Sequence, residues 1–150
     1  SEAGMPCIAD PGSNIVAYAH NMQINVIPLT GPSSIFLSLM ASGFNGQNFS
    51  FKGYLPIEKN ERKKTIKELE KTTKQTGQTQ IFMEAPFRNN QLLQTLIKTC
   101  KGDTKLCVAT NITCKDESIK TKTINEWKNI NIDIHKKPTI FIIGKPPKLL

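Results

Sequence analysis

The sequence predicts an α/β protein, and three observations carry that prediction. Short apolar runs of strand character recur at residues 79–84, 105–110 and 138–144. Between them lie segments whose apolar residues repeat every three to four positions, the period of a helix packed on one side. Gly and Pro stand at the joints, as in the short loops of α/β layers. The 150 residues, 38% of them hydrophobic, can bury one good core or two small ones.

In chain order, Pro11 and Gly12 open a helix over residues 11–22 with Ile15, Val16, Ala19 and Met22 as its apolar stripe. Ile24-Asn25-Val26-Ile27-Pro28 reads as a short buried strand closed by proline. Gly31-Pro32-Ser33-Ser34 turns into a second helix, whose Ile35, Leu37, Leu39 and Met40 predict burial on most sides. Gly43 and Asn45-Gly46 stop it. Phe49-Ser50-Phe51-Lys52-Gly53-Tyr54-Leu55-Pro56 alternates aromatic and polar residues, as an extended segment does, and a domain boundary is set just before it. Residues 1–47 then belong to one α/β unit and residues 48–150 to a second.

A polar helix over residues 58–74 follows, anchored by Ile66 and Leu69, with Lys and Glu three and four apart as surface pairs. Thr79 begins a strand. Pro86 starts a helix with Leu92, Leu93, Leu96 and Ile97 as its core stripe, ended by Lys101-Gly102. Residues 105–110 form the next strand and residues 118–124 an alternating edge strand. Thr123 caps a short helix holding Trp127. The last strand, residues 138–144, is apolar enough for burial on both faces.

Charge divides the chain. Residues 1–56 carry Lys52 against Glu2 and Asp10, whereas residues 57–150 hold the other 19 basic residues against 10 acidic ones. A basic second half suits an anionic partner, while a dispersed, solvated Lys surface accounts for the same composition. No apolar run approaches the roughly 18 residues of a membrane span, and no signal-peptide pattern opens the chain. Cys7, Cys100, Cys107 and Cys114 form no CxxC pair and have no nearby His, so no metal site or disulfide framework is expected; buried free thiols in a reducing cytoplasm fit better. The sequence begins within a Gly/Pro loop with no strand leading in, which reads as the C-terminal part of a longer protein.

Five motifs then fall in order. Ser1-Glu2-Ala3-Gly4-Met5-Pro6-Cys7-Ile8-Ala9-Asp10-Pro11-Gly12 resembles the S-D-A-G-T-P-x-I-S-D-P-G signature of the tetrapyrrole methylase superfamily. Pro28-Leu29-Thr30-Gly31-Pro32-Ser33-Ser34 is similar to its P-L-P-G-P-S/C-A, and Phe51-Lys52-Gly53-Tyr54-Leu55-Pro56 to F-x-G-F-L-P. Glu84-Ala85-Pro86-Phe87-Arg88 is similar to E-S-x-x-R, and residues 139–144 to a closing strand ending in E-G. Within the superfamily the resemblance is to the ribosomal RNA small subunit methyltransferase I branch. The sequence departs from that pattern at Glu2, Met5 and Ile143, and residues 109–114 stand where the family has A-R-E-L-T-K, keeping Thr113 and, further on, Glu117.

The resemblance implies a tetrapyrrole methylase-like fold: the end of an N-terminal α/β domain, then a complete C-terminal α/β domain with a mixed sheet. It implies S-adenosylmethionine in the cleft between the domains, methyl transfer to a ribose 2′-hydroxyl of a cytidine in 16S rRNA, structured RNA as partner, a homodimer and a cytoplasmic location. Ala3, Gly4, Met5 and Pro6 would present backbone groups to the cofactor, and Gly31, Pro32 and Ser33 would form its second wall. Tyr54 and Thr113 are placed with them; Tyr54 serves equally as a stacking ring or as a core residue at the junction. Asp10 caps a helix or faces the cleft, capping being the commoner use.

Glu84 and Arg88 are expected to bind substrate, Arg88 meeting an RNA phosphate while Glu84 orients it; a structural salt bridge is the rival reading. Their place at the C-terminal end of a strand, where α/β sites gather, favours the first. No residue presents itself as general base, since His20 and His135 lie outside the motifs and read as surface residues. Two other functions fit the sequence: methylation of a tetrapyrrole or other small molecule on the same fold, and a non-catalytic RNA-binding module. The 150 residues alone are expected to be inactive.

Overall fold

A computed structural model of the protein describes residues 5–147. Five strands, β1 (Phe49–Tyr54), β2 (Thr79–Met83), β3 (Lys105–Thr110), β4 (Ser118–Thr123) and β5 (Thr139–Gly144), form one mixed sheet in the order β1-β2-β5-β3-β4. β1 and β2 run parallel, so the chain must cross over between them, which it does through helix α3 (Lys59–Thr76). β5 is antiparallel to both β2 and β3, and all six of its residues are buried. Its apolar run matches that central place, and the weaker alternation of β4 matches an edge.

The period of two along each strand divides the core between the two faces of the sheet. Ile81, Cys107, Ala109, Ile140 and Ile142 pack with Ile35 and Leu39 of helix α2 (Ser34–Ser42) and with Phe44. Phe82, Leu106, Val108, Phe141 and Ile143 pack with Ile66 and Leu69 of α3 and with Leu92, Leu93 and Leu96 of helix α4 (Asn89–Thr99). Helix α5 (Ile124–Trp127) completes that layer. The Phe82 and Phe141 rings stack with centroids 6.0 Å apart, and the Trp127 indole N–H donates to the Leu106 carbonyl at 2.9 Å. Phe44 lies so close over Gly144 that any side chain there would strike its ring, which explains a glycine at the end of β5.

α3 shows why its charge pattern misleads. Ile66 and Leu69 are buried as expected, but so are Arg62, Glu70 and Thr73. The Arg62 guanidinium donates to the Pro56 carbonyl at 3.0 Å and to that of Ile57, tying down the exit from β1. Glu70 accepts from the Lys101 N–H at 2.7 Å and from the Thr104 hydroxyl, fixing the loop between α4 and β3. Of the expected Lys–Glu pairs within the helix, Lys74–Glu70 at 3.9 Å is the one formed among the described residues. The other Lys side chains keep their solvent and rotamer freedom, because an exposed pair gains little. Thr123 caps α5 in a full capping box with Glu126, as its sequence predicts.

Five expectations are corrected. Residues 24–28 form no strand; Ile24 and Ile27 are 58% and 78% exposed, and no strand among the described residues offers them a ladder. The first helix, α1 (Ser13–Asn21), exists but buries none of its residues, so Ile15, Tyr18 and Met22 stand exposed. α2 buries one face only, through Ile35, Ser38, Leu39 and Ser42; Met40 is exposed because the sheet covers a single side of the helix. Pro86 opens a one-turn 3-10 helix, Pro86–Arg88, and α4 begins after it. The cysteines are free but not uniformly buried: Cys107 is buried, Cys114 is exposed, and burial assisted by the Glu70 charge pushes the Cys100 thiol up to about 12.

Leu96→Ala is expected to destabilise the fold by about 2–5 kcal/mol. Ile15→Ala on the uncovered helix should change stability by less than about 0.5 kcal/mol. Urea unfolding followed by circular dichroism compares the two directly.

Candidate functional site

Strand register, not sequence proximity, assembles the site. Tyr54 at the end of β1 pairs with Met83 at the end of β2. Met83 in turn pairs with Ile140 near the start of β5, and Thr139 pairs with Thr110 at the end of β3. Because β5 runs opposite to β2 and β3, its entry lies beside their exits, and Asn111 N–H closes the row onto the Pro138 carbonyl at 2.9 Å. The segments that follow β1, β2 and β3 therefore share one edge of the sheet.

A cleft of about 750 Å³ opens at this edge, within the range of small-molecule sites. Met5, Ile8 and Asp10 line it from the first Gly/Pro turn, Pro32, Ser33 and Ser34 from the second, and Tyr54, Met83 and Pro138 from the sheet. The two motif turns, more than twenty residues apart in sequence, thus meet across one space. In the first turn Cys7 and Ala9 have φ of 71° and 58°, a left-handed conformation that L-residues adopt at a cost. Gly12 has φ of 128°, which favours glycine, and a Cβ there would lie in tight contact with the Cys7 sulfur at 3.0 Å.

The second turn ends at Ser33, the N-cap of α2, which makes no side-chain capping bond. The first main-chain N–H donors of α2 are therefore left without intrahelical or capping partners among the described residues, beside the cleft and at the positive end of the helix dipole. Asp10 does not cap α1, whose N-cap is Gly12; it lies too early in the chain and lines the cleft instead.

A second pocket of about 270 Å³ adjoins the first, sharing Ser34, Tyr54, Met83 and Pro138 and adding Glu84, Pro86, Asn111, Ile112, Cys114 and Thr139. Glu84, whose side chain is fully buried, accepts from the Ala85 N–H at 2.7 Å and from an Arg88 Nη2 at 2.7 Å. Burial alone would push its carboxyl up, but the Arg88 hydrogen bond, the Ala85 N–H and the charges of Arg88 and Arg62 outweigh this and hold it below the ordinary carboxylate range. The Glu84 Oε2 and the Arg88 Nε are buried without a hydrogen-bond partner among the described residues. Gln80 Oε1 and Asn89 Oδ1 share that condition, but of these residues only Glu84 lines this pocket.

The expected site residues thus divide. Met5, Pro32, Ser33 and Tyr54 line the cleft, and Glu84 lines its neighbour. Ala3 and Gly4 lie outside the described residues. Pro6 and Gly31 shape their turns without lining either pocket, and Arg88 reaches the site through Glu84. Thr113 is exposed with φ of 70°, and its N–H donates to Glu117 Oε2 at 2.6 Å; its neighbours Asn111, Ile112 and Cys114 line the second pocket in its place. His20 and His135 are exposed, as expected. Met83 and Pro138 were not legible as site residues, since they read as ordinary strand ends and only their register brings them to the cleft.

A sequence profile of the tetrapyrrole (corrin/porphyrin) methylases matches residues 1–128, and the chain belongs to that family. Proteins named ribosomal RNA small subunit methyltransferase I are similar to it. The one from Bacillus subtilis is 36% identical over 132 residues, covering 86% of this chain and 44% of that protein. The one from Vibrio cholerae is 33% identical over 126 residues, covering 84% and 42%. That from Buchnera aphidicola of the pea aphid Acyrthosiphon pisum is 33% identical over 152 residues, covering 99% and 52%. The chain therefore spans about half the length of the curated relatives it matches. Among solved structures, that of the methyltransferase CobJ superposes with a TM-score of 0.60 at 14% identity, over 95% of this chain and 62% of that one, and shares the fold.

Arg88→Met strands a buried carboxylate and should cost about 1–3 kcal/mol at neutral pH. The wild-type Glu84 has a depressed pKa, so its stabilisation is present above its ordinary value of 4.5 and is lost as pH falls through the lower folded value. In Arg88→Met the Arg88 hydrogen bond and charge no longer oppose burial, so the variant loses less stability than the wild type when Glu84 is protonated. The stability gap between the two proteins is expected to narrow as pH falls from 7 towards 3, as read from urea midpoints across that range.

Proposed function

We propose that the whole protein is an S-adenosylmethionine-dependent methyltransferase that methylates a ribose 2′-hydroxyl in 16S rRNA. The observation that carries this reading is the meeting of the two family turns across one cleft of about 750 Å³. The names of the relatives support the same substrate class. A homodimer and a cytoplasmic location belong to the proposal and rest on the resemblance; the division of the chain between residues 47 and 48 belongs to it too and rests on the change to an alternating, extended pattern at Phe49. Among the described residues, no helix is long and apolar enough to cross a membrane.

The lining suits the cofactor. Met5, Ile8, Ile35 and Met83 offer apolar surface to its thioether and adenine portions, and Tyr54 offers a ring at the rim. The main-chain donors at the start of α2 suit the carboxylate of its amino-acid portion. When bound, the cofactor supplies a methyl group made electrophilic by the sulfonium. The residues around it hold that group and the acceptor hydroxyl in line and exclude water, which is most of what such a displacement needs. Glu84 and Arg88 form the substrate side, in the pocket that opens from the cleft, and the 19 basic residues of positions 57–150 draw in a polyanion.

Calorimetry of the full-length protein should detect S-adenosylmethionine binding, and labelled methyl should pass to undermethylated small ribosomal subunits. Ser34→Trp, which places a bulky side chain where both pockets meet, should weaken cofactor binding by about tenfold or more, a loss of about 1.4 kcal/mol, without lowering the melting temperature. Cofactor binding without transfer to the subunit would turn the reading towards a small-molecule substrate.

A further inference from the structure

The 3-10 turn after β2 carries an aromatic ring that neither the core nor the cleft accounts for. Phe87 is 58% exposed. A lone exposed Phe is ordinary on a protein surface, but this one has company. The Arg88 guanidinium lies 4.7 Å from the centre of its ring. That guanidinium is pinned from behind by the buried Glu84 carboxylate at 2.7 Å, while its Nε has no partner among the described residues. Tyr54, 61% exposed, lines the same pocket as Glu84 and Pro86.

The platform is also rigid. The Pro86 carbonyl accepts from the Lys136 N–H at 3.0 Å, and the Asn89 side-chain amide donates to the Lys137 carbonyl at 2.6 Å. The turn and the loop holding exposed Lys136 are therefore tied to each other.

We propose that Phe87, Arg88 and Tyr54 form a stacking platform for unpaired nucleotides of a single-stranded RNA segment at the mouth of the cleft, with Lys136 meeting the phosphates. The inference rests on the RNA-methylating reading and names how that substrate is held. Glu84 already balances the charge of Arg88, so the guanidinium contributes its flat face more than its charge. Flat guanidinium and aromatic faces at a fixed site recognise splayed bases, whereas a duplex hides base faces inside its stack. The charge left to bind phosphate comes from the adjoining lysine and the basic half of the chain. A nucleotide whose ribose is drawn into a cleft leaves its stack, and a stacking surface beside that cleft holds its unpaired neighbours.

The test uses the full-length protein and a short single-stranded oligoribonucleotide containing 2-aminopurine, whose fluorescence is quenched by stacking. Binding should quench the probe. Phe87→Ala should weaken binding about 5- to 150-fold and abolish the quenching, and Phe87→Trp should restore both. Lys136→Gln should keep the quenching and reduce the slope of log affinity against log salt by about 0.7. Cofactor affinity by calorimetry should be unchanged in all three variants.

Wild-type affinity and quenching in Phe87→Ala would overturn the platform. So would equal affinity for a duplex of the same sequence, or a loss of cofactor affinity in Phe87→Ala that parallels the loss of RNA binding. A wild-type protein that binds no cofactor overturns the methyltransferase reading instead, and the quenching decides the platform separately.

Discussion

The structure depends on one placement: β5, the last strand in sequence, inserted antiparallel between β2 and β3. Among the described residues, it is the one strand that joins the β1-β2 half of the sheet to the β3-β4 half, and all six of its residues are buried. Ile140 and Ile142 serve the α2 face, while Phe141 and Ile143 serve the α3 and α4 face, so a single apolar run ties both cores together. Its direction matters as much as its burial. Running against its neighbours, it brings Pro138 and Thr139 to the edge where Tyr54, Met83 and Thr110 end. The pockets exist because three strand exits and one strand entry are forced together there.

Around that edge the chain uses polar groups to hold loops still. Arg62 gathers the carbonyls after β1, Glu70 gathers the donors before β3, and Asn89 with Asn90 clips residues 133–137 to the start of α4. Each is a side chain in a helix reaching backbone groups that no ladder can satisfy. Glu84 and Arg88 extend the same device to the site, but leave one acceptor and one donor unused. Asn89 likewise leaves its Oδ1 without a partner among the described residues, so what sets Glu84 apart is its place in the lining of the second pocket.

Exposure tells a complementary story. Ile15, Tyr18, Met22, Ile27 and Leu29 form an apolar surface along α1 and the segment after it, whereas the sheet and its helices bury their apolar residues well. The first turn nevertheless holds a defined and strained conformation at Cys7 and Ala9, next to the cleft it lines. Its geometry is set by local turn chemistry, Gly12 above all, and does not depend on burying the helix that follows.

The sequence by itself determined the elements whose signals are local. Strands at residues 79–83, 105–110 and 139–144, the capped turn at Thr123, the Ile66 and Leu69 anchors and the Leu92-Leu93-Leu96 stripe are set by residue type and period. The two Gly/Pro turns were legible because turn conformations need particular residues at particular positions. Only the tertiary structure decided the rest. Ile24 to Pro28 has the composition of a strand, yet a strand exists only where a partner completes its hydrogen bonds. Arg62 and Glu70 look like surface charges until the loops they bind are folded beneath them. Met83, Pro138 and Asn111 entered the site through strand order and register, because contacts between residues far apart in sequence leave no periodic mark on either segment.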